Sequence, residues 1–418
     1  MKNWSIPPVV GFCTAVWLCA EAAFAADLQN ENGKGAEIKV TWSDIARLLE
    51  EHPGLAAGEF QIDAARGGVK AAGAAPNPTF ETTVGHGRAR AGDDSRVEWG
   101  LALSIPLGWI AQRSSKVSAA EAGVDVAIAE RRALRRDVLL QLQILFWNVV
   151  YEQEREASLD ELEAQTTALV RTVKKRVELG EVRPVEAVRV EIEQQMVISE
   201  VEAARVSLAS RRAQLALWLG VSGDKTIVAA ADLRGLPTST IPDTALADHP
   251  AVMAARARIH SLEADVKTER MARVPAVSLT GFTSSELDRR AFGAGLAVDL
   301  PIWNWNKGRI AAADAALAAS RKQAEATALD LKSSVIEARA ACRASVRTAT
   351  RFGVEVVPRA ETAASTMEKT YQLGEVSLLE MIDARRTLLD AHRRYLSALL
   401  QAQIDCSRLG AWVEKESK

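Results

Sequence analysis

The chain repeats itself. His52-Pro53 recurs as His249-Pro250, 197 residues on, and Pro78 recurs as Pro275 at the same spacing. Pro106 matches Pro301 after 195 residues, and Gly180 matches Gly374 after 194. Trp218-Leu-Gly220 is echoed by Leu409-Gly-Ala-Trp412. A duplication on this scale constrains the fold more than any single motif, because two copies of one plan must both bury their apolar faces. The copies read as residues 26–220 and 249–412. An irregular join spans 221–248, around Gly223, Gly235, Pro237 and Pro242, and a polar tail spans 413–418.

Each copy reads as helix, strand pair, very long helix, turn, helix. The first helices, 54–75 and 251–273, end near Pro76 and Pro78 or near Pro275. Alternating segments follow. Trp99, Leu101, Leu103 and Ile105 fall on odd positions with Gly100, Ala102 and Ser104 between them; Phe292, Leu296, Val298 and Leu300 fall on even positions with Gly293, Gly295 and Asp299 between. Period two marks strands with one apolar face. Their partners are expected at 79–87 and 276–284. Strands of about ten residues with one apolar and one small or polar face suit a membrane-spanning β-barrel. Four strands cannot close one, since the smallest such barrels have about eight. Two copies of the chain supply eight strands and three supply twelve. Trp109, Trp303 and Trp305 lie just past the strands, where an interfacial aromatic girdle sits.

The long helices are expected at 113–179 and 307–373, each roughly 100 Å at 1.5 Å per residue. Ala324, Ala328, Leu331, Val335, Ala338 and Cys342 step by four and three, as do Val138, Leu142, Leu145 and Val149, which is coiled-coil spacing. Aromatics are only 5% of the chain, in keeping with long helices packed through small residues. Pro358 is expected to kink the second long helix in its last quarter. Each long helix ends at a glycine, Gly180 or Gly374, suited to a left-handed helix stop. Ser377 with Glu380 then has the S-x-x-E spacing of a capping box. Both copies thus end in a tight helical hairpin tip, 178–189 and 371–386.

The net charge of −2 gives no basis for nucleic-acid binding. Residues 1–25 read as a secretory signal: Lys2, an apolar run over 9–20, and Ala23-Phe24-Ala25, with cleavage between Ala25 and Ala26. Cys13 and Cys19 follow Phe12 and Leu18 and so lack a lipid-attachment context. No later stretch approaches the ~20 apolar residues of a spanning helix. Cys342 and Cys406 remain after cleavage; two free buried thiols are expected, with a disulfide left open.

Taken together, the duplication, the prolines before the strands, the run Leu300-Pro-Ile-Trp-Asn-Trp-Asn-Lys-Gly308 and the tip Tyr371-Gln-Leu-Gly374 through Met381-Ile-Asp383 resemble the TolC-like outer membrane efflux proteins. In length and pattern the chain is most similar to their heavy-metal branch, that of cobalt–zinc–cadmium and cobalt–nickel resistance. The resemblance implies a mainly α fold with a small β part: a homotrimer with a twelve-stranded barrel in outer membrane lipid, continuous with a periplasmic coiled-coil tunnel. It also implies work with a periplasmic adaptor and an inner-membrane, RND-type proton-driven pump. A drug or protein-secretion duct is the alternative within this class; a non-conducting periplasmic coiled-coil protein is the alternative outside it.

By motif position the resemblance makes Tyr371, Glu380 and Asp383 gate residues, with Glu186 as the acid of the first copy. The family's tip arginine has no match, because Val376 stands there. Glu380 and Glu186 read equally well as carboxylates favoured at a helix N-terminus. Asp383 lies beyond the cap and has Arg189 as its repeat counterpart, which makes it the stronger gate candidate. No enzyme site, cofactor or metal site is expected. Gly85-His-Gly87 and Gly293-Ala-Gly295 lack a nucleotide loop's context, and His52, His86, His249, His260 and His392 show no ligand spacing.

Overall fold

The structure is a computed structural model that describes residues 37–88, 95–221, 226–237, 249–287 and 289–411. The signal segment with Ala25 and Ala26, part of the first strand loop, most of the join, Trp412 and the tail lie outside the described residues. The first repeat comprises β1 (Glu37–Val40), α1 (Trp42–Leu48), α2 (Pro53–Gly73), β2 (Thr79–Arg88), β3 (Ser95–Pro106), α3 (Trp109–Glu178) and α4 (Pro184–Trp218). After β4 (Thr226–Ala229), the second comprises α5 (Pro250–Met271), β5 (Ala276–Ser285), β6 (Arg290–Asp299), α6 (Lys307–Arg351), α7 (Val357–Gln372) and α8 (Leu378–Gly410).

The helices form one elongated bundle. The 70-residue α3 runs beside α2, α4 and α5, and also touches α8; α6 and α7 run beside α8. The expected seams are real: Val138, Leu142 and Val149 are buried in α3, and Leu331, Val335 and Cys342 in α6. The two equivalent histidines cap equivalent helices. His52 Nδ1 accepts the Gly54 N–H (3.1 Å) and His249 Nδ1 accepts the Ala251 N–H (3.2 Å), each at the start of a helix whose second residue needs an acceptor. Proline follows each histidine at the first helical position, where no N–H is required.

The sheet β2-β3-β5-β6 is antiparallel throughout and joins the two repeats through β3 and β5. Directly paired residues share a face. Phe80 pairs with Leu103, Val84 with Trp99, Ile105 with Leu279, and Leu279 with Leu296, which gathers the apolar side chains on one face. Glu81, Ala102, Ser104, Thr280 and Gly295 lie on the other, joined there by Phe282, whose ring lies against Gly293. The apolar face is bare in a single chain, with Phe292 91% exposed. Trp303, just past the sheet, is 93% exposed, whereas Trp109 is drawn half-buried into the first turn of α3.

Three features depart from the sequence reading. Cys342 and Cys406 are not free thiols: they form a disulfide between α6 and α8, with Cα atoms 4.8 Å apart. Both sit on the seam where these helices pack, a proximity that 64 residues of separation conceal. The join is not wholly irregular, since β4 pairs in parallel with β1. Gln153 fastens that pair, its amide donating to Ala229 O (3.0 Å) and accepting from Ala229 N (2.9 Å). Gln403 likewise donates to the carbonyls of Leu233 and Gly235. Around them Leu49, Leu142, Phe146, Leu215, Ile227 and Leu399 form the largest core cluster, midway along the bundle. Finally, the second long helix breaks before Pro358, in a π-turn over Phe352–Val356. Proline cannot donate to residue i−4 and its ring crowds that carbonyl, so the extra residue of a π-turn relieves the clash upstream.

His249 supplies a pH test of this packing. Burial, and then the neighbouring Arg136 guanidinium, depress its pKa from the usual 6.5 to about 4. Between those values the unfolded chain binds a proton that the folded chain refuses, so stability must fall as pH drops from 6.5 towards 4. His249→Asn keeps a capping acceptor and removes the titration. Thermal melts of the variant should lose less Tm than the wild type between pH 7 and pH 4.5; an equal loss in both contradicts the assignment.

Candidate functional site

The two hairpin tips lie side by side although their sequences are 194 residues apart. Val170, Val173, Val190, Tyr371, Leu378, Met381 and Ile382 form one buried cluster drawn from α3, α4, α7 and α8. Each tip is closed in the same way. Gly180 and Gly374 have φ of +73° and +78°, the left-handed conformation that favours glycine. At the first tip, Gly180 N donates to Val177 O (3.0 Å) and Glu181 N to Arg176 O (2.9 Å); at the second, Gly374 N donates to Tyr371 O (3.1 Å) and Glu375 N to Thr370 O (3.0 Å). This is the Schellman arrangement, which satisfies carbonyls that the ending helix leaves open.

The helices that leave the tips start differently. Ser377 caps α8 with a full capping box: its Oγ accepts the Glu380 N–H (3.3 Å), while Glu380 accepts from Ser377 N (2.8 Å) and Ser377 Oγ (2.9 Å). The backbone bond from Ser377, then that from its hydroxyl, hold the exposed Glu380 carboxyl below its usual pKa. Arg183 begins α4 without a side-chain cap, and Pro184 follows. Glu186 is largely buried, its nearest base being Arg183 at 3.9 Å.

Tyr371 is buried, and among the described residues no group stands in good hydrogen-bond geometry to its hydroxyl. The Arg176 guanidinium lies over its ring, 5.2 Å from the centroid, and also donates from Nε to Glu181 (3.1 Å). Burial, aided by the Glu186 carboxylate and opposed by Arg176, pushes the phenol pKa up, so Tyr371 stays neutral. A crevice of about 490 Å³ opens here, lined by Thr172, Arg176, Glu181, Tyr371, Met381 and Arg385. Tyr371, Glu186 and Arg176 are thus brought together. Asp383 stands apart from them, exposed and without an ion pair, and Arg189 is likewise exposed and unpaired among the described residues. No ion pair joins Asp383 to Arg189.

Sequence reasoning passed over three contacts. Arg176 sits on α3, five residues before Glu181, and comes to Tyr371 only through folding. Arg386 makes a two-pronged ion pair with Glu193 of α4, from the second repeat to the first. That hydrogen bonding, with smaller help from Asp383, raises the Arg386 pKa. Arg385 meets Glu368 at 3.6 Å. These pairs follow no fixed sequence spacing, so the only signal was the density of charge near the tips. Among the described residues, no cluster of three or more His, Cys, Asp or Glu side chains could hold a metal ion, and no helix is long and apolar enough to cross a membrane.

Residues 45–221 and 241–412 match the family model described as outer membrane efflux protein. The chain belongs to that family. As a member of the outer membrane efflux proteins it resides in the outer membrane and extends into the periplasm. It is 29% identical over 357 residues to the cobalt-zinc-cadmium resistance protein CzcC of Cupriavidus metallidurans, with 83% of each chain covered. The fold is similar to that of CusC, with a TM-score of 0.78 at 17% identity, covering 93% of this chain and 96% of that one. It is also similar to the open-state MtrE outer membrane channel of Neisseria gonorrhoeae, with a TM-score of 0.74 at 18% identity, covering 92% and 94%. The outer membrane location sets aside the reading of a purely periplasmic coiled-coil protein.

The capping box predicts a local effect. Ser377→Ala should destabilise the start of α8 by about 1 kcal/mol. Hydrogen exchange of amides 378–381 should quicken; unchanged exchange would show that the cap contributes nothing.

Proposed function

We propose that this outer membrane efflux protein is the passive exit duct of a tripartite, proton-driven system whose cargo is divalent heavy-metal cations: cobalt, nickel, zinc or cadmium. The observation that carries the duct reading is a four-stranded sheet with two unpaired edges, continuous with a helical bundle that ends in two closed tips per chain. Three chains give twelve strands and six tips. The apolar face then meets lipid and the small, polar face lines the lumen. The bare aliphatic side chains at the tips, Leu179 and Val185 in one copy and Leu373 and Leu379 in the other, suit docking of a periplasmic adaptor, which in turn engages an RND-type pump.

The likeness to a cobalt-zinc-cadmium resistance protein supports the metal cargo. A conduit must release what it carries, and weakly held cations need rings of charge rather than coordination cages. Asp383 suits this role. Its carboxylate is exposed and unpaired, and threefold symmetry sets three of them around one axis, where mutual repulsion recruits cations. Glu380 contributes charge at the same level, but its carboxylate is already engaged in the cap. Tyr371, with Arg176 and Glu186, packs the neighbouring hairpins together and so bears on how readily the tip opens.

Two experiments bear on this reading. In planar bilayers, Asp383→Ala should weaken block of single-channel current by multivalent cations at least several-fold, while Arg189→Ala should not; block of equal strength in Asp383→Ala removes Asp383 from the gate. A strain lacking the gene should become sensitive to one or more of cobalt, nickel, zinc and cadmium. Sensitivity to drugs alone would contradict the cargo but leave the duct.

A further inference from the structure

The loop that joins β6 to α6 presents apolar side chains to nothing in its own chain. Residues 300–306 carry Leu300, Ile302, Trp303 and Trp305, all exposed, with Trp303 at 93%. In the first repeat only Leu107 and Gly108 separate β3 from α3, and Trp109 is half-buried in the helix. From this loop and the cations beside it, we propose that residues 300–309 form a binding site for anionic phospholipid headgroups in the periplasmic leaflet of the outer membrane. The indoles enter the interfacial region of the leaflet, and Arg273, Lys307 and Arg309 hold the headgroup phosphate. The inference rests on outer membrane residence and goes beyond the duct reading, because it concerns neither cargo nor conduction.

The exposure is held in place by the fold. Arg273 Nε donates to Trp305 O (3.2 Å), and Asn306 Nδ2 donates both to Glu269 O (2.8 Å) and to the Glu269 carboxylate (2.7 Å). Asn306 N donates in turn to Asn304 Oδ1 (3.0 Å). Among the described residues Asn306 alone of the non-glycines has a positive φ, +55°, a conformation that costs energy for any residue with a Cβ. A loop pinned this firmly keeps its indoles away from the bundle, so the cost of bare apolar surface is offset only by something outside the chain. Its position says what that is. The strands cross the membrane, no helix among the described residues can do so, and the helices lie in the periplasm, so the junction of β6 with α6 meets the periplasmic leaflet. Leu300 continues the even-numbered apolar face of β6, and tryptophan favours the depth where tails give way to headgroups.

The charges select the headgroup. Lys307 and Arg309 are exposed and have no ion-pair partner among the described residues. Neither serves the helix: its dipole disfavours positive charge in the first turn, and that turn holds no acid. Arg273 uses Nε on Trp305 O and keeps its remaining donors, in a fork that suits phosphate oxygens. Of the acids at this level, Glu269 is engaged by Asn306 and Asp314 by Arg270 (3.1 Å), which leaves Asp299. Arg113 and Lys116, exposed near the start of α3, add further positive charge. A zwitterionic headgroup carries its own ammonium beside the phosphate, so surplus cations on the protein favour lipids that lack one.

Fluorescence quenching by brominated lipids tests this on the full chain in phosphatidylcholine vesicles. The quenching that belongs to Trp303 is the difference between the wild type and Trp303→Phe. With equal mole fractions of brominated phosphatidylglycerol or brominated phosphatidylcholine, the relative association constant at Trp303 should favour phosphatidylglycerol at least about threefold. The preference should vanish in Lys307→Gln/Arg309→Gln and persist in Lys307→Arg/Arg309→Lys, with far-ultraviolet circular dichroism unchanged in both. Added salt should weaken it. No quenching of Trp303 by either lipid would put a neighbouring chain over the loop and overturn the site. Equal quenching by both lipids, or a preference that survives Lys307→Gln/Arg309→Gln, overturns headgroup recognition. The readout needs neither metal nor current, so its failure is separable from failure of the conduction and metal-tolerance experiments.

Discussion

Four strands cannot satisfy their own edges. In the order β2-β3-β5-β6, the outer sides of β2 and β6 present rows of unpaired backbone groups. In lipid each unsatisfied group costs several kcal/mol, and only a closed barrel removes the cost. The bare apolar face carrying Phe80, Trp99, Leu101, Leu103 and Phe292 demands lipid on its outside. The two demands meet only when copies of the chain join edge to edge, so assembly is part of folding for this protein rather than a later event.

The helical part follows from the same closure. Each repeat sends a strand pair into the sheet and a long helix out of it, so a ring of strands dictates a ring of helices. The belt halfway along secures that arrangement. There β1 of the first repeat pairs with β4 of the join, Gln153 and Gln403 hold the adjoining backbone, and the largest core cluster gathers residues from both ends of the chain. From the belt to the tip the packing divides into smaller apolar clusters, one around Leu162, Val197 and Val201, one around Val357 and Ala391, and one at the tip around Tyr371 and Met381.

Much of this was legible in the residues. Period-two alternation placed β3 and β6, with β2 and β5 expected as their partners, and sorted Leu101 and Leu103 from Ala102 and Ser104, because a strand's faces depend only on parity. The steps of three and four through Leu331 and Val335 placed the coiled-coil seam, and Gly180 and Gly374 placed the two tips, because a left-handed residue has few alternatives to glycine. What stayed hidden depended on contacts between distant segments. Cys342 and Cys406 gave no spacing that joins them. The parallel pairing of β1 with β4 joins the start of the first repeat to a segment that read as irregular join. Arg176 and Arg386 were only two charges among many until folding set them against Tyr371 and Glu193. Pro358 foretold a kink in the second long helix, and the backbone accommodates the proline one turn earlier, in the π-turn over Phe352–Val356.

The central claim is that the sheet is closed by three chains joined edge to edge. Native mass spectrometry of the protein extracted in mild detergent counts them directly. The account predicts a single species of three copies, completing twelve strands. A stable species of one or two copies would contradict it.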